Sequence, residues 1–142
     1  MSKFFDEFIQ AQSPIYPLVL QELTQGKKRT HWMWFIFPQI QGLGHSEIAQ
    51  RYALENLMQA QDYFQHEVLG TRLHECATLL LKHPDKTALE IFGKPDNLKL
   101  HSSLTLFALA AEKGSVFQRL LQQFFAVQQN EKTLQIISMQ NK

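Results

Sequence analysis

The chain has a single cysteine, Cys76, among 142 residues. That excludes an intramolecular disulfide framework and a cysteine-rich zinc site, and it points to a reducing compartment. No stretch of about 18 or more apolar residues occurs, so the sequence offers no helix to span a bilayer. Acids at Asp6 and Glu7 interrupt the first residues, which therefore do not read as a secretory signal. An excess of one charge is also missing. Fourteen basic and 13 acidic side chains leave a net charge of +1, which argues against general attraction to nucleic acid or to an acidic membrane. Any anion that is recognised must be held locally. The five prolines and six glycines are scattered as punctuation, and no repeat or low-complexity tract divides the chain. The expectation is a cytoplasmic protein with one domain over residues 1–142, because 44% apolar residues suffice for one sizeable core.

What the sequence does have is helical period. Phe4, Phe5, Phe8, Ile9 and Gln12 recur at three-to-four spacing. Ser13-Pro14 then reads as a cap with a first-turn proline, opening a helix from about Pro14 to Gln25 that Gly26 ends in a left-handed conformation. The block Trp32 to Phe37 suits a buried strand or a buried helical turn. Helix is favoured, with Thr30 as cap and Pro38 as stop, because no second convincing strand exists to pair with it. One amphipathic helix, bent near Asn56, is expected from Ser46 to Phe64. Leu69, Leu73, Cys76 and Leu80 form the next stripe, and Pro84-Asp85 begins a short segment ending near Phe92-Gly93. From Leu104 to Ala111 the residues are apolar on nearly every side, the mark of a central helix. Val116 to Phe125 and Thr133 to Met139 complete the pattern. The expected fold is all-α, a compact multihelical domain with a central buried helix, with Trp34 and Phe107 among its core rings.

The segment Lys28-Arg29-Thr30-His31-Trp32-Met33-Trp34-Phe35-Ile36-Phe37-Pro38-Gln39 is the most distinctive, since a basic pair and a histidine lead into both tryptophans of the chain. His31 to Gln39, followed by Gly42-Leu43-Gly44 and Ser46, resembles the signature of domain of unknown function family 1810. The likeness extends over most of the chain, through Phe8, Ala11-Gln12, Tyr16, Leu69-Gly70, Arg72-Leu73, Ile91-Phe92-Gly93, Lys99-Leu100, Ser102-Ser103 and Thr105-Leu106-Phe107. The resemblance implies a mainly helical domain and carries no established activity. Two positions depart from the pattern: His101 stands where arginine is common, and Glu67 where proline often follows the histidine matching His66. The first puts a fixed positive charge at that point in doubt, because histidine is charged only at mildly acid pH.

Four constellations carry candidate chemistry. Lys28, Arg29 and His31 beside Trp32 suit a phosphate or carboxylate with a flat group stacked on a ring, or simply a solvated loop. Gly42-Leu43-Gly44-His45-Ser46-Glu47 can turn backbone N–H groups toward an anion, but Glu47 opposes phosphate and a tight turn with a helix cap explains it better. Lys99, Ser102 and Ser103 share a helical face, which suits a ligand oxygen, a serine–lysine nucleophile pair or a polar ridge between helices. The six histidines include no pair at the four-residue spacing of a helical zinc site, so no metal is expected. Together these give a small-molecule domain for an anionic ligand, with enzymatic activity open. Its expected site residues are Lys28, Arg29, His31, Trp32, Lys99, Ser102 and Ser103, rimming one cleft where two buried runs meet. The alternative is a noncatalytic protein–protein interaction module.

Overall fold

The computed structural model describes residues 3–140. Within them lie ten helices: α1 (Lys3–Gln12), α2 (Tyr16–Gln25), α3 (Met33–Ile36), α4 (Glu47–Arg51), α5 (Leu57–Gln65), α6 (Leu69–Leu81), α7 (Ala88–Phe92), α8 (Asp96–Ala110), α9 (Val116–Phe125) and α10 (Glu131–Gln140). The chain is all-α. β-Pairing among the described residues amounts to one isolated parallel bridge between Ile40 and Leu54.

Helix α8 is the hub, with every residue from Ser102 to Ala108 buried. Helices α5, α7, α9 and α10 pack around it, and a helix that is apolar all round gains from neighbours on every side. An aromatic chain runs through the core from Phe8 to Tyr63, Phe107 and Phe117, with ring centroids 5.2, 5.6 and 5.5 Å apart. Phe107 is sealed there as expected. Trp34 is only half-buried, and the sealed indole is Trp32, packed against Phe37 and Phe92. The full cost of an aromatic-to-alanine change, about 3–5 kcal/mol, therefore belongs to Phe107 and Trp32.

Three local expectations are corrected. Residues 46–64 form two helices, because Leu54 is pulled out of helical geometry to bond Gln39 and Gln41 across the bridge, and Asn56 restarts the chain by accepting from the Gln59 N–H. Helix α2 begins at Tyr16, since Ser13 prolongs α1 by bonding back to the Ile9 carbonyl through both its N–H and its hydroxyl. Thr30 does not cap α3; its hydroxyl is drawn to Glu22. Gly26 does end α2 at φ 73°, and the α2 carbonyl end is closed by His83, which donates to the Leu23 carbonyl, and by Lys86 to that of Gly26.

Two packing details yield measurable expectations. Cys76 is fully buried on α6 and burial pushes its thiol up to about 12, so the reactive thiolate is scarce at neutral pH. Iodoacetamide at pH 8 should leave the native protein unlabelled and modify it fully once guanidinium unfolds it. Helix α9 ends on Ala126 at φ 51°, with the Val127 N–H closing onto the Leu121 carbonyl. That left-handed closure favours glycine, because a Cβ crowds the following carbonyl. Ala126→Gly should stabilise the fold by about 1 kcal/mol, read as a raised denaturant midpoint.

Candidate functional site

The first turn of α8 carries Asp96, and two lysines converge on it, Lys99 from the same helix and Lys28 from the loop after α2. Lys28 Nζ lies 2.8 Å from Asp96 Oδ2, and Lys99 Nζ lies 3.6 Å from Oδ1. Lys28 is the inner partner, with a side chain 6% exposed. It also donates to the Thr30 carbonyl at 2.6 Å and sits 5.1 Å from the Trp32 ring centroid. Its N–H donates to the Ile91 carbonyl, which pins the loop to α7. Lys99 is held more loosely, over the Trp34 ring at 4.8 Å. One carboxylate thus faces two ammonium groups. Lys28 makes the shorter contact, and the three side chains together carry one net positive charge.

Lys99 opens into a groove of about 500 Å³. One wall is Gln39 and Leu43 from the bridge segment and the turn after it; the floor is Pro95, Leu98, Lys99 and Ser102; the far wall is Asn130, Glu131 and Lys132 at the start of α10. Asn130 fixes that wall, accepting from the Thr133 N–H and hydroxyl while its own N–H reaches Thr105 on α8. Among the described residues, neither Glu131 nor Lys132 is in an ion pair. A larger cleft of about 680 Å³ lies at the opposite end of α8, where Glu112 offsets Lys113. The groove combines apolar walls with an excess of positive charge, as does a smaller cleft of about 360 Å³ lined by Arg119, Leu121 and Val127; the groove is the one that draws its cation from the Asp96 cluster.

A family model described as protein of unknown function (DUF1810) matches residues 3–137. The chain belongs to that family. A solved structure of similar shape is that of the conserved hypothetical protein Rv1873 from Mycobacterium tuberculosis, 45% identical, covering 94% of this chain and 95% of that one, with a TM-score of 0.91. No curated protein matches the chain.

In this DUF1810 chain, a few of the residues that carried the family resemblance meet at the groove: Gln39, Leu43 and Gly44 from the first block, Lys99 and Ser102 from the second. The remaining expected site residues are distributed otherwise. Trp32 does not reach solvent, and its indole N–H donates to Glu22 Oε1 at 2.9 Å. Arg29 and His31 are exposed and do not line the groove. Ser102 and Ser103 part company: Ser102 lines the groove and donates to the Leu98 carbonyl, whereas Ser103 is sealed in the core with its hydroxyl unpartnered among the described residues. Neither serine hydroxyl is bonded to Lys99, so the contact a serine–lysine nucleophile pair requires is not made. His101, at the variable position, stacks on Phe125 at 4.2 Å and donates to the Gln128 carbonyl. No group of three or more His, Cys, Asp or Glu side chains among the described residues is placed to hold a metal. Nor is any described helix long and apolar enough to cross a membrane.

Two acids organise this region without having been singled out in the sequence. Asp96 was visible, since it precedes Lys99 by three residues on one helix. Glu22 also left a signal: it is an acid on the same face of α2 as the buried Val19 and Leu23. Glu22 is 2% exposed, and its carboxylate accepts from the Arg29 N–H, the Thr30 N–H and hydroxyl, and the Trp32 indole. Burial alone would raise its pKa. The bonds from Arg29, Trp32 and Thr30 outweigh that and hold it below the ordinary carboxylate value.

Proposed function

We propose that this protein binds a small organic anion in the groove between the Gln39–Leu43 segment, the start of α8 and the start of α10. The observation that carries the reading is the shared Asp96: because Lys28 claims the carboxylate at 2.8 Å, Lys99 presents a positive charge to the groove. Mixed apolar and polar walls with a few convergent donors are the usual lining of small-ligand sites. Lys132 and the Gln39 amide supply further donors from the facing walls. Binding is favoured over catalysis because Lys99 contacts Asp96 and Trp34 and not a serine hydroxyl. The lone, buried Cys76 supports a cytoplasmic setting.

The test is thermal denaturation of the wild type and Lys99→Gln against a panel of small organic anions and their neutral amides. A ligand that prefers the folded state raises its stability, by about 2.7 kcal/mol at a hundred times the dissociation constant. The expected result is stabilisation of the wild type by at least one anion, none by its amide, and loss of the effect in Lys99→Gln. Equal stabilisation of both proteins, or none by any anion, would remove this reading.

A further inference from the structure

The groove says more about its ligand than the sign of its charge. We infer that it takes a monoanion with an apolar body, in chemical class an aliphatic or aryl monocarboxylate, and not a nucleotide or polyphosphate; this inference rests on the anion-binding reading above. Charge counting is the first argument. Lys99 and Lys132 bring two positive charges to the lining and Glu131 removes one, while Asp96 is offset by Lys28 behind it. The balance is a single positive charge, enough for one carboxylate and too little for a di- or trianion, whose extra charge would meet Glu131 without compensation.

The apolar lining is the second argument. Leu43, Pro95 and Leu98 border the groove, and Leu98 stands 57% exposed. Leu98 and Lys99 both line the groove, which so offers an apolar surface together with an ammonium. An anion without a body would leave that surface in water; a body of several carbons would cover it, with a gain proportional to the area removed. The third argument is the composition of the walls, which contain no aromatic ring. The nearby indole of Trp34 is already under Lys99 and that of Trp32 is sealed, so a purine or pyrimidine would find no stacking partner. Ser102 fits a carboxylate head: its hydroxyl bonds the Leu98 carbonyl at 3.2 Å and can turn from that long contact toward an acceptor in the groove.

The experiment is isothermal titration of the full chain with straight-chain monocarboxylates from propionate to octanoate, the matching primary alcohols, inorganic phosphate and a nucleoside monophosphate. Wild type, Lys99→Gln and Leu98→Ser are compared. Carboxylate affinity should rise about three- to fourfold per methylene. The alcohols should bind at least about tenfold more weakly, Lys99→Gln should abolish the preference for carboxylate over alcohol, and Leu98→Ser should flatten the dependence on chain length. Lys99-dependent binding of phosphate or nucleotide, without a rise along the carboxylate series, would overturn the ligand class and leave the anion site standing. Carboxylate binding indifferent to Lys99→Gln would also overturn it, as adsorption elsewhere. No response to any anion would remove both readings.

Discussion

Gly70→Ala should cost more than about 3 kcal/mol, although it replaces glycine inside a helix with the best helix former. A Cβ built on Gly70 falls 1.9 Å from the Phe64 carbonyl oxygen and 2.7 Å from its carbon. Both are backbone atoms at the end of α5, so no side chain can swing aside. The gain in helix propensity, about 1 kcal/mol, is opposed by forcing α5 and α6 apart where they pack. Chain separation at that corner also disturbs His66, whose Nδ1 accepts from the Val68 and Leu69 N–H groups and so caps α6. Urea denaturation gives the readout. An unchanged or raised midpoint would contradict the close approach of Gly70 to the Phe64 carbonyl.

The second large effect is expected at Glu22. In Glu22→Gln an amide replaces a carboxylate that accepts four hydrogen bonds, three of them on Oε1 and the Thr30 hydroxyl on Oε2. The amide oxygen can take the first three and the Thr30 hydroxyl can turn to accept from the NH2, so what is lost is the negative charge the donors converge on. The loss should be about 2 kcal/mol at pH 7, the scale for turning charge-assisted hydrogen bonds into neutral ones. The sign of its pH dependence follows from the lowered pKa. A carboxyl held below its unfolded value contributes stability that is full above the unfolded pKa and is lost as pH falls through the folded one. The gap between wild type and Glu22→Gln should therefore be constant near neutrality and narrow below the ordinary carboxylate range. A gap that widened on acidification would contradict the four-donor cage.

The sequence was most legible where one period dominated. The apolar stretch inside α8 and the stripes of α6 and α9 read directly as buried helices, since nothing but packing acts on them. It was less legible where long-range bonds override local pattern. Leu54 sits inside an amphipathic stripe, yet its pairing with Gln39 and Gln41 divides the stripe into two helices, and no local signal announces a partner 13 or 15 residues away. The candidate site was half visible for the same reason. Lys28 could be picked out as a cation beside the tryptophans and Lys99 as an ammonium on one helical face with two serines, and the structure joins them through Asp96. Trp32 looked like a stacking platform because composition cannot tell a sealed ring from an exposed one, and the carboxylate that seals its N–H belongs to another helix. Lys132 and Asn130 reach the groove only because α10 folds back onto α8, a tertiary fact absent from their own neighbourhood.

The central claim is that Lys28, buried and outside the groove, sets the charge that the groove presents by occupying Asp96. The affinity of Lys28→Met for the tightest-binding anion, compared with wild type at equal ionic strength, tests it most directly. With Lys28 gone, Asp96 has only Lys99 to pair with, so affinity should fall by on the order of tenfold, although no group lining the groove has changed. Equal affinity in the two proteins, with Lys28→Met still folded by circular dichroism, would contradict the account.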